Sequence, residues 1–430
     1  MELEALCNLV RTSEGICTDS RTIKKGEVFF ALRGPNHDGN LHATAAIAAG
    51  ARAAVVDDPS LSGDNIFVVP DVLSALQQTA LYYRKSLAAP VIAITGTNGK
   101  TTTKELIREV LSKKYSVHAT EGNLNNHIGV PVTLLKAPTS TQMFVIEMGA
   151  NHPGEIAALC DIARPTHGLI TNIGKAHLEG FGSFDGVIAA KSELYHFLRD
   201  NCGIAFYNEQ DKLLSDLIFK IVHKALPYSD PSGTDLKVEE NGDNVLLSIK
   251  AEYHNETRQF KTNLFGHHNL DNVRAAMAVG IFFDVPLTDI IDAIQNYKPG
   301  NNRSQVLRTN NNTIICDSYN ANPSSMIRAL ASFSGMKCQK KMVILGDMLE
   351  LGTESLNEHQ TILDGIRKLG VEEALFCGPV FTRVASGKQY RCFENSNALK
   401  EYLTEAKPSG YAILVKGSRG MALEKIYDVL

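Results

Sequence analysis

The stretch PVIAITGTNGKTTTKELI, Pro90 to Ile107, decides how the rest of the chain is read. Val91 to Thr95 is an apolar, β-branched run that predicts a buried strand. It ends in Gly96-Thr97-Asn98-Gly99-Lys100-Thr101-Thr102, and the residues from Lys104 to Leu111 have helical spacing. Strand, glycine-rich loop and helix start, in that order, build a cradle for phosphate. Glycines let backbone N–H groups approach an anion, and the helix dipole favours negative charge there. Lys100 is expected to reach the terminal phosphates of a nucleotide, and the Thr101 hydroxyl to ligate Mg²⁺. The loop is shorter than the usual G-x-x-x-x-G-K-[ST], because Ile94 stands where that pattern has its first glycine. A ligand-free turn is the bland alternative, and the flanking elements favour nucleotide binding over it.

Composition narrows the class. A chain of 430 residues has length for two to four domains. Its formal net charge of −4 offers no field for nucleic acid or a membrane surface. The eight cysteines are scattered with no C-x-x-C pair, which favours reduced thiols over a disulfide framework or a zinc site. The start, MELEALCNLVRTSEG, lacks the basic-led apolar core of a signal peptide, and no apolar run approaches the ~20 residues of a membrane helix. A cytoplasmic monomer with no nucleic-acid partner and no membrane insertion is the expectation.

The fold class expected is α/β in three domains. Residues 1–84 hold short strands such as Glu27 to Leu32 and the run from Arg52, with an Ala-rich helix from Ala43 to Gly50, as a small α/β unit. In residues 85–299, VIAIT, YSVHAT, MFVIEMG, HGLITNI and GIAFYN alternate with helical segments, predicting a mostly parallel sheet with helices on both faces. Asp235 to Lys261 is polar and alternating, which reads as a β-hairpin excursion. The cluster Pro299-Gly300-Asn301-Asn302 punctuates the chain, and residues 300–430 read as a Rossmann-like α/β domain.

Individual residues then stand out. Glu147 ends the apolar strand MFVIEMG, and carboxyl ends of strands in α/β sheets face the ligand crevice, where a hard oxygen suits Mg²⁺. His177 follows the strand HGLITNI; alone, such a histidine is more often a hydrogen-bonded loop residue than a ligand. Lys191, on general grounds, would be a solvated helix lysine. Asn125 and Asn126 sit in a Gly/Asn-rich turn. Asn269 and Asn272 are three apart on one helix face and carry the donor and acceptor that an adenine edge requires, with helix capping as the alternative for Asn269. Arg303 follows the domain boundary, and Asp317 ends the strand NTIICD. In the first block Ser20 and Arg21 offer hydrogen bonds to a base or diphosphate, arginine being a fork donor for phosphate. Asp347 and the segment Lys416-Gly417-Ser418-Arg419 fall at strand ends in the third block.

GTNGKTT resembles the nucleotide loop of the Mur ligase family, ATP-dependent amide-forming enzymes of peptidoglycan precursor synthesis. Further segments similar to that family follow in order: TEGNLNNHIGVP from Thr120, FVIEMGANHPGEI from Phe144, TNIGKAHLEGFGS from Thr171, AAKSEL from Ala189, GHHNLDNVRAA from Gly266, DSYNANPSSM from Asp317, LGDMLELG from Leu345 and LVKGSRGMALE from Leu414. The resemblance implies ATP and two Mg²⁺ ions, the second held partly by His177. It also implies a carbamylated Lys191, made by CO₂ adding to the neutral amine, so that a cation becomes a carboxylate-like metal ligand. Asn125 and Asn126 would then contact the muramoyl-peptide and phosphates, and Asn269 and Asn272 the adenine. Arg303 would reach the phosphates from the third domain, although many relatives carry that arginine directly after the glycine rather than two residues later. Asp317 would belong to the interdomain nucleotide site.

Two acceptor classes divide the family's late members. DSYNANP and GDMLELG stand here in place of the DYAHxP and DNPR segments of the diamino-acid-adding ligases, which implies UDP-N-acetylmuramoyl-tripeptide and D-alanyl-D-alanine as substrates. Arg419 would take the dipeptide carboxylate and Asp347 its ammonium, with Glu350 as the fallback, among the segment that includes Lys416 and Ser418. The alternatives are the neighbouring diamino-acid-adding ligase and a nucleotide-binding protein that performs no ligation. Folylpolyglutamate synthases share the central fold but lack a unit bearing the Asp19-Ser20-Arg21 motif.

Overall fold

The computed structural model describes residues 3–231, 236–241, 245–300, 302–338, 340–369, 371 and 373–430. Asp235, at the start of the expected hairpin, and Asn301, in the boundary cluster, lie outside the described residues.

The central sheet consists of six parallel strands in the order Ala225–Pro227, Ile204–Tyr207, His167–Ile170, Val91–Thr95, Met143–Glu147, Val117–Ala119. All five residues of Val91–Thr95 are buried, as the continuous apolar run predicts for a strand covered on both faces. Its side chains alternate between two cores. Val91 and Ala93 pack with Phe144, Ile146 and Ile170 on one side; Ile92 and Ile94 pack with Val145 and Leu169 on the other. The two strands that follow this one in sequence lie on one flank and the next three on the other, so the crevice at its carboxyl end is a topological switch point. Helix Lys100–Leu111 begins four residues earlier than the spacing alone indicated, because the loop turns directly into its first turn.

The first block is a four-stranded parallel sheet of Ile16–Cys17, Val28–Phe30, Ala53–Val56 and Ile66–Val68. Helix Val72–Lys85 closes it and shares one apolar core with the central domain, through Leu76, Ala80 and Tyr83. The last block is a six-stranded sheet ordered Gln305–Arg308, Thr313–Asp317, Ala412–Lys416, Lys341–Gly346, Glu373–Cys377, Arg391–Phe393; its first pair is antiparallel and the rest parallel. The polar excursion is a three-stranded antiparallel sheet, Leu236–Glu240, Leu246–Tyr253 and Glu256–Phe265, rather than a hairpin. All eight cysteines are free thiols, and no helix among the described residues is long and apolar enough to cross a membrane.

Candidate active site

Two glycines set the loop's path. Gly96 has φ of 140°, and a Cβ there would lie 2.0 Å from the Thr171 hydroxyl; Gly99 has φ of 80°, and its Cβ would lie 2.6 Å from Asn272 Oδ1. Both conformations favour residues without a side chain, and both approaches demand one. Gly99 is the N-cap of helix Lys100–Leu111 and makes no side-chain cap bond. The N–H groups of Lys100, Thr101 and Thr102 therefore point out of the first turn without a capping side chain, as an anion site requires. Lys100 folds back over the loop, its Nζ donating to the carbonyls of Gly96 (2.7 Å) and Thr97 (3.2 Å).

Asn98 is gripped from two sides. Its backbone N–H donates to Asn172 Oδ1 at 3.1 Å, and its carbonyl accepts from Asn172 Nδ2 at 3.0 Å and from the Thr171 hydroxyl at 2.6 Å. Thr97 is tied similarly to the Asn172 carbonyl and to Gly174. The Asn98 side chain faces the third domain, where it closes a ring of hydrogen bonds. Asn98 Nδ2 donates to Ser324 Oγ (2.8 Å), Ser324 Oγ to Asn322 Oδ1 (2.9 Å), and Asn322 Nδ2 back to Asn98 Oδ1 (2.8 Å). Asn322 also caps helix Pro323–Ser334 through a capping box with Ser325. The nucleotide loop thus carries the third domain directly.

Beside the loop, Glu147 is buried, 2 % exposed. Asn125 Nδ2 donates to its Oε1 at 2.8 Å, while its Oε2 has no hydrogen-bond partner. Thr101 Oγ1 is likewise buried without a partner. The backbone N–H of Glu147 donates to the Thr120 hydroxyl, and the fully buried Lys104 donates to the Thr120 carbonyl, so this strand end is held from beneath. An orphaned carboxylate oxygen and an orphaned hydroxyl are costly in a buried site unless something fills them. A hard divalent cation fits both, together with phosphate oxygens. Among the described residues no three His, Cys, Asp or Glu side chains converge into a complete metal site.

Lys191, on helix Phe184–Asp200, is 2 % exposed, not solvated as general propensity indicates. Its Nζ lies 5.7 Å from the centre of the Phe181 ring. Burial first, and the Lys100 ammonium second, push its amine down to about 7. Lys100 is also lowered, by burial and then by Arg303, against the opposing pull of Glu147. His177 Nδ1 lies 2.6 Å from Glu350 Oε2 of the third domain, and both residues have left-handed backbones (φ 49° and 64°). Its pKa is lowered mainly by burial, opposed by Glu350. With Nδ1–H donated to Glu350, the neutral ring keeps Nε2 as a free lone pair, the arrangement that orients metal-binding histidines.

The structure reassigns several expected site residues. Asn269 and Asn272 are 2 % and 6 % exposed and bonded to each other at 2.8 Å. Asn269 also donates to the Phe265 carbonyl, and Asn272 accepts from the Thr103 hydroxyl. They seat the nucleotide loop on helix Leu270–Phe282 and present no open edge to adenine. Asn126 Oδ1 accepts from Ile128 and Gly129 N–H and so caps the next helix, while Asn125 orients Glu147. Asp347 is 1 % exposed, with its oxygens taken by the N–H groups of Val380 and Phe381, so it caps helix Pro379–Val384 and cannot meet an acceptor. Ser418 is buried between the Leu349 N–H and the Ala321 carbonyl. Lys416 and Asp317 are paired at 2.6 Å, and Asp317 also accepts from the Ser304 N–H, fixing the interdomain linker.

Others stay open. Arg303 and Arg419 both lie against the ring of Tyr319, and Glu350 is largely exposed. Ser20 and Arg21 lie on the first domain, with Arg21 forking onto Asp19 at 2.9 and 2.7 Å. Sequence reading missed Thr171, Asn172, Asn322, Ser324 and Tyr319. A signal existed for three of them: Thr171-Asn172 is a polar pair ending an apolar strand, and Asn322-Pro323 is an N-cap followed by proline at N1.

A helix start suited to phosphate, beside an unpartnered carboxylate oxygen and hydroxyl and roofed by a third α/β domain, defines a three-domain nucleotide-dependent transferase or ligase scaffold. Family models match it throughout: the Mur ligase family catalytic domain over residues 12–94, the Mur ligase middle domain over 94–280 and the Mur ligase glutamate ligase domain over 302–419. The chain is 34 % identical to the UDP-N-acetylmuramoyl-tripeptide–D-alanyl-D-alanine ligase of Bacillus subtilis, covering 96 % of this chain and 92 % of that one. It superposes on MurF from Acinetobacter baumannii with a TM-score of 0.85 at 30 % identity, covering 96 % of this chain and 92 % of that one. MurF ligase from Thermotoga maritima, in complex with ADP, gives a TM-score of 0.85 at 25 % identity, covering 98 % and 97 %. The chain belongs to the Mur ligase family.

The hydrogen-bond ring on Asn98 gives a direct test. Ser324→Ala removes its middle member at a cost of about 1 kcal/mol. Amide hydrogen exchange should then quicken at the start of helix Pro323–Ser334 and in the nucleotide loop together; unchanged protection in both would show that the ring carries no coupling.

Proposed function

We propose that this chain joins D-alanyl-D-alanine to UDP-N-acetylmuramoyl-tripeptide through an ATP-derived acyl phosphate. The observation that carries the reading is the pair of unpartnered atoms, Thr101 Oγ1 and Glu147 Oε2, beside Lys100 and an uncapped helix N-terminus. The full-length similarity to ligases of that name supports the substrate choice. The boundaries we assign are 1–84 for the nucleotide-sugar unit, 85–299 for the ATP unit and 300–430 for the acceptor unit, acting in the cytoplasm as a monomer.

Two anions must meet in the first step, the tripeptide carboxylate and the γ-phosphate. The first-turn N–H groups hold the phosphates, and Lys100 neutralises charge on the transferring phosphoryl group. Arg303 adds a second cation from the third-domain side. Thr101 and Glu147 are the residues that would hold one Mg²⁺, and His177 Nε2 with a carbamylated Lys191 a second. Bound there, Mg²⁺ supplies charge neutralisation on the phosphate oxygens. The buried, cation-flanked amine of Lys191 supports the carbamate reading: its depressed pKa leaves much of the amine neutral near pH 7, the form that adds CO₂. In the second step the dipeptide amine attacks the acyl carbonyl and phosphate leaves. Arg419 holds the dipeptide carboxylate. Glu350, whose Oε2 is on His177, takes the ammonium role that the buried Asp347 cannot. The Asn98 ring keeps the third domain down on the loop, which shields the acyl phosphate from water.

Lys191→Ala is expected to lower ligation by ~10²-fold or more, with partial recovery in formate or acetate, whose carboxylate replaces the lost one. Full activity of Lys191→Ala without added carboxylate would remove the carbamate from the account. For the acceptor, Arg419→Ala should raise KM for the dipeptide by about tenfold or more while leaving KM for ATP within twofold. Mass detection of products from an acceptor mixture should show D-alanyl-D-alanine ligated in preference to lysine or diaminopimelate. A diamino acid ligated instead to a UDP-muramoyl-dipeptide would move the chain to the neighbouring ligase.

A further inference from the structure

The two arginines assigned to opposite halves of the reaction meet on one ring. The guanidinium carbon of Arg303 lies 3.6 Å from the centre of the Tyr319 ring, and that of Arg419 lies 5.0 Å from it. The Tyr319 backbone is anchored beside the linker. Its N–H donates to the Asn302 carbonyl at 3.2 Å, and two residues earlier Asp317 holds Ser304 N–H and Lys416. Tyr319 thus lies two residues beyond the buried strand Thr313–Asp317, beside the linker that enters the third domain.

What holds a guanidinium decides what it can still bind. A carboxylate partner would fix Arg303 or Arg419, but would also cancel its charge and occupy its donors. Neither arginine forms an ion pair with any described carboxylate, and Arg303 Nε is buried with no hydrogen-bond partner. An aromatic face attracts the cation through its quadrupole and leaves every N–H free for an incoming anion. Arg303 is also close enough to Lys100 to lower that lysine's pKa, so the stack places it on the nucleotide side of the site. Arg419 approaches the same ring from the end of strand Ala412–Lys416.

We propose that Tyr319 is a positioning residue that aims Arg303 at the nucleotide phosphates and Arg419 at the acceptor carboxylate, so that one ring sets both halves of the site. The inference rests on the roles given to the two arginines above. It requires the face of the ring and not its hydroxyl.

The test uses the full chain and steady-state kinetics with each of the three substrates varied in turn. Tyr319→Phe should keep every KM within about twofold. Tyr319→Leu should raise KM for ATP and for D-alanyl-D-alanine by about fivefold each, while KM for the UDP-muramoyl-tripeptide and the melting temperature stay near those of the parent. Tyr319→Met replaces it if the Leu variant does not fold. In an Arg419→Ala background the Leu substitution should no longer move the dipeptide KM and should still move that for ATP, because the shared interaction is already gone. An unchanged pair of KM values in Tyr319→Leu, an equal rise for all three substrates, or an undiminished dipeptide effect on top of Arg419→Ala overturns the proposal. Arg303→Ala and Arg419→Ala serve as controls. If they leave both KM values unmoved, the assignment of the arginines fails and takes this proposal with it; if they move them and Tyr319→Leu does not, the role of Tyr319 alone fails.

Discussion

Lys100, Lys191 and Arg303 crowd a half-buried space next to the Glu147 carboxylate, and the site is built around that excess of positive charge. Burial makes each ammonium costly, which is why both lysines have lowered pKa values. A polyanion relieves the cost, and so does conversion of one amine to an anionic carbamate. The protein also withholds internal partners from Thr101 Oγ1 and Glu147 Oε2. In a stable fold such buried atoms are normally satisfied, so their lack of a partner marks where stability has been given up for binding.

The third domain meets this site through polar contacts, while Phe265, at the end of the antiparallel excursion, is buried in that domain's apolar core. The Asn98–Ser324–Asn322 ring, the His177–Glu350 pair and the Lys175–Glu358 ion pair at 3.1 Å all join the central crevice to that domain. Contacts of this kind are individually modest. The first domain joins the centre more broadly: helix Val72–Lys85 lies in the same apolar core as the central sheet.

Much of the architecture could be read from the chain, because each buried strand is a continuous apolar run closed by glycine or a polar pair. The loop, the strand that ends in Glu147 and the alternation of strands and helices through the central block followed from that pattern. The residues that resisted were those whose partners lie far away in sequence. Asp347 at a strand end looks like a ligand until the N–H groups of Val380 and Phe381, more than thirty positions on, are found to occupy it. Asn269 and Asn272 looked like an adenine edge because their spacing says which face they share, not whether that face is open. Asn98 was readable as a loop residue, but its grip on Asn322 and Ser324 spans 224 and 226 positions. Lys191 is the extreme case: propensity places it in water, the structure buries it, and only the resemblance to a family gives it a role.

The central claim is that the carboxylate of the bound peptide takes the γ-phosphoryl group before the amine attacks. It is tested most directly by labelling that carboxylate with oxygen-18 and following the label through one round of ligation by mass spectrometry. An acyl-phosphate route transfers one labelled oxygen to the released phosphate and leaves the other in the new amide. Amide formed with unlabelled phosphate would contradict the account, because the carboxylate would then never have been bonded to phosphorus.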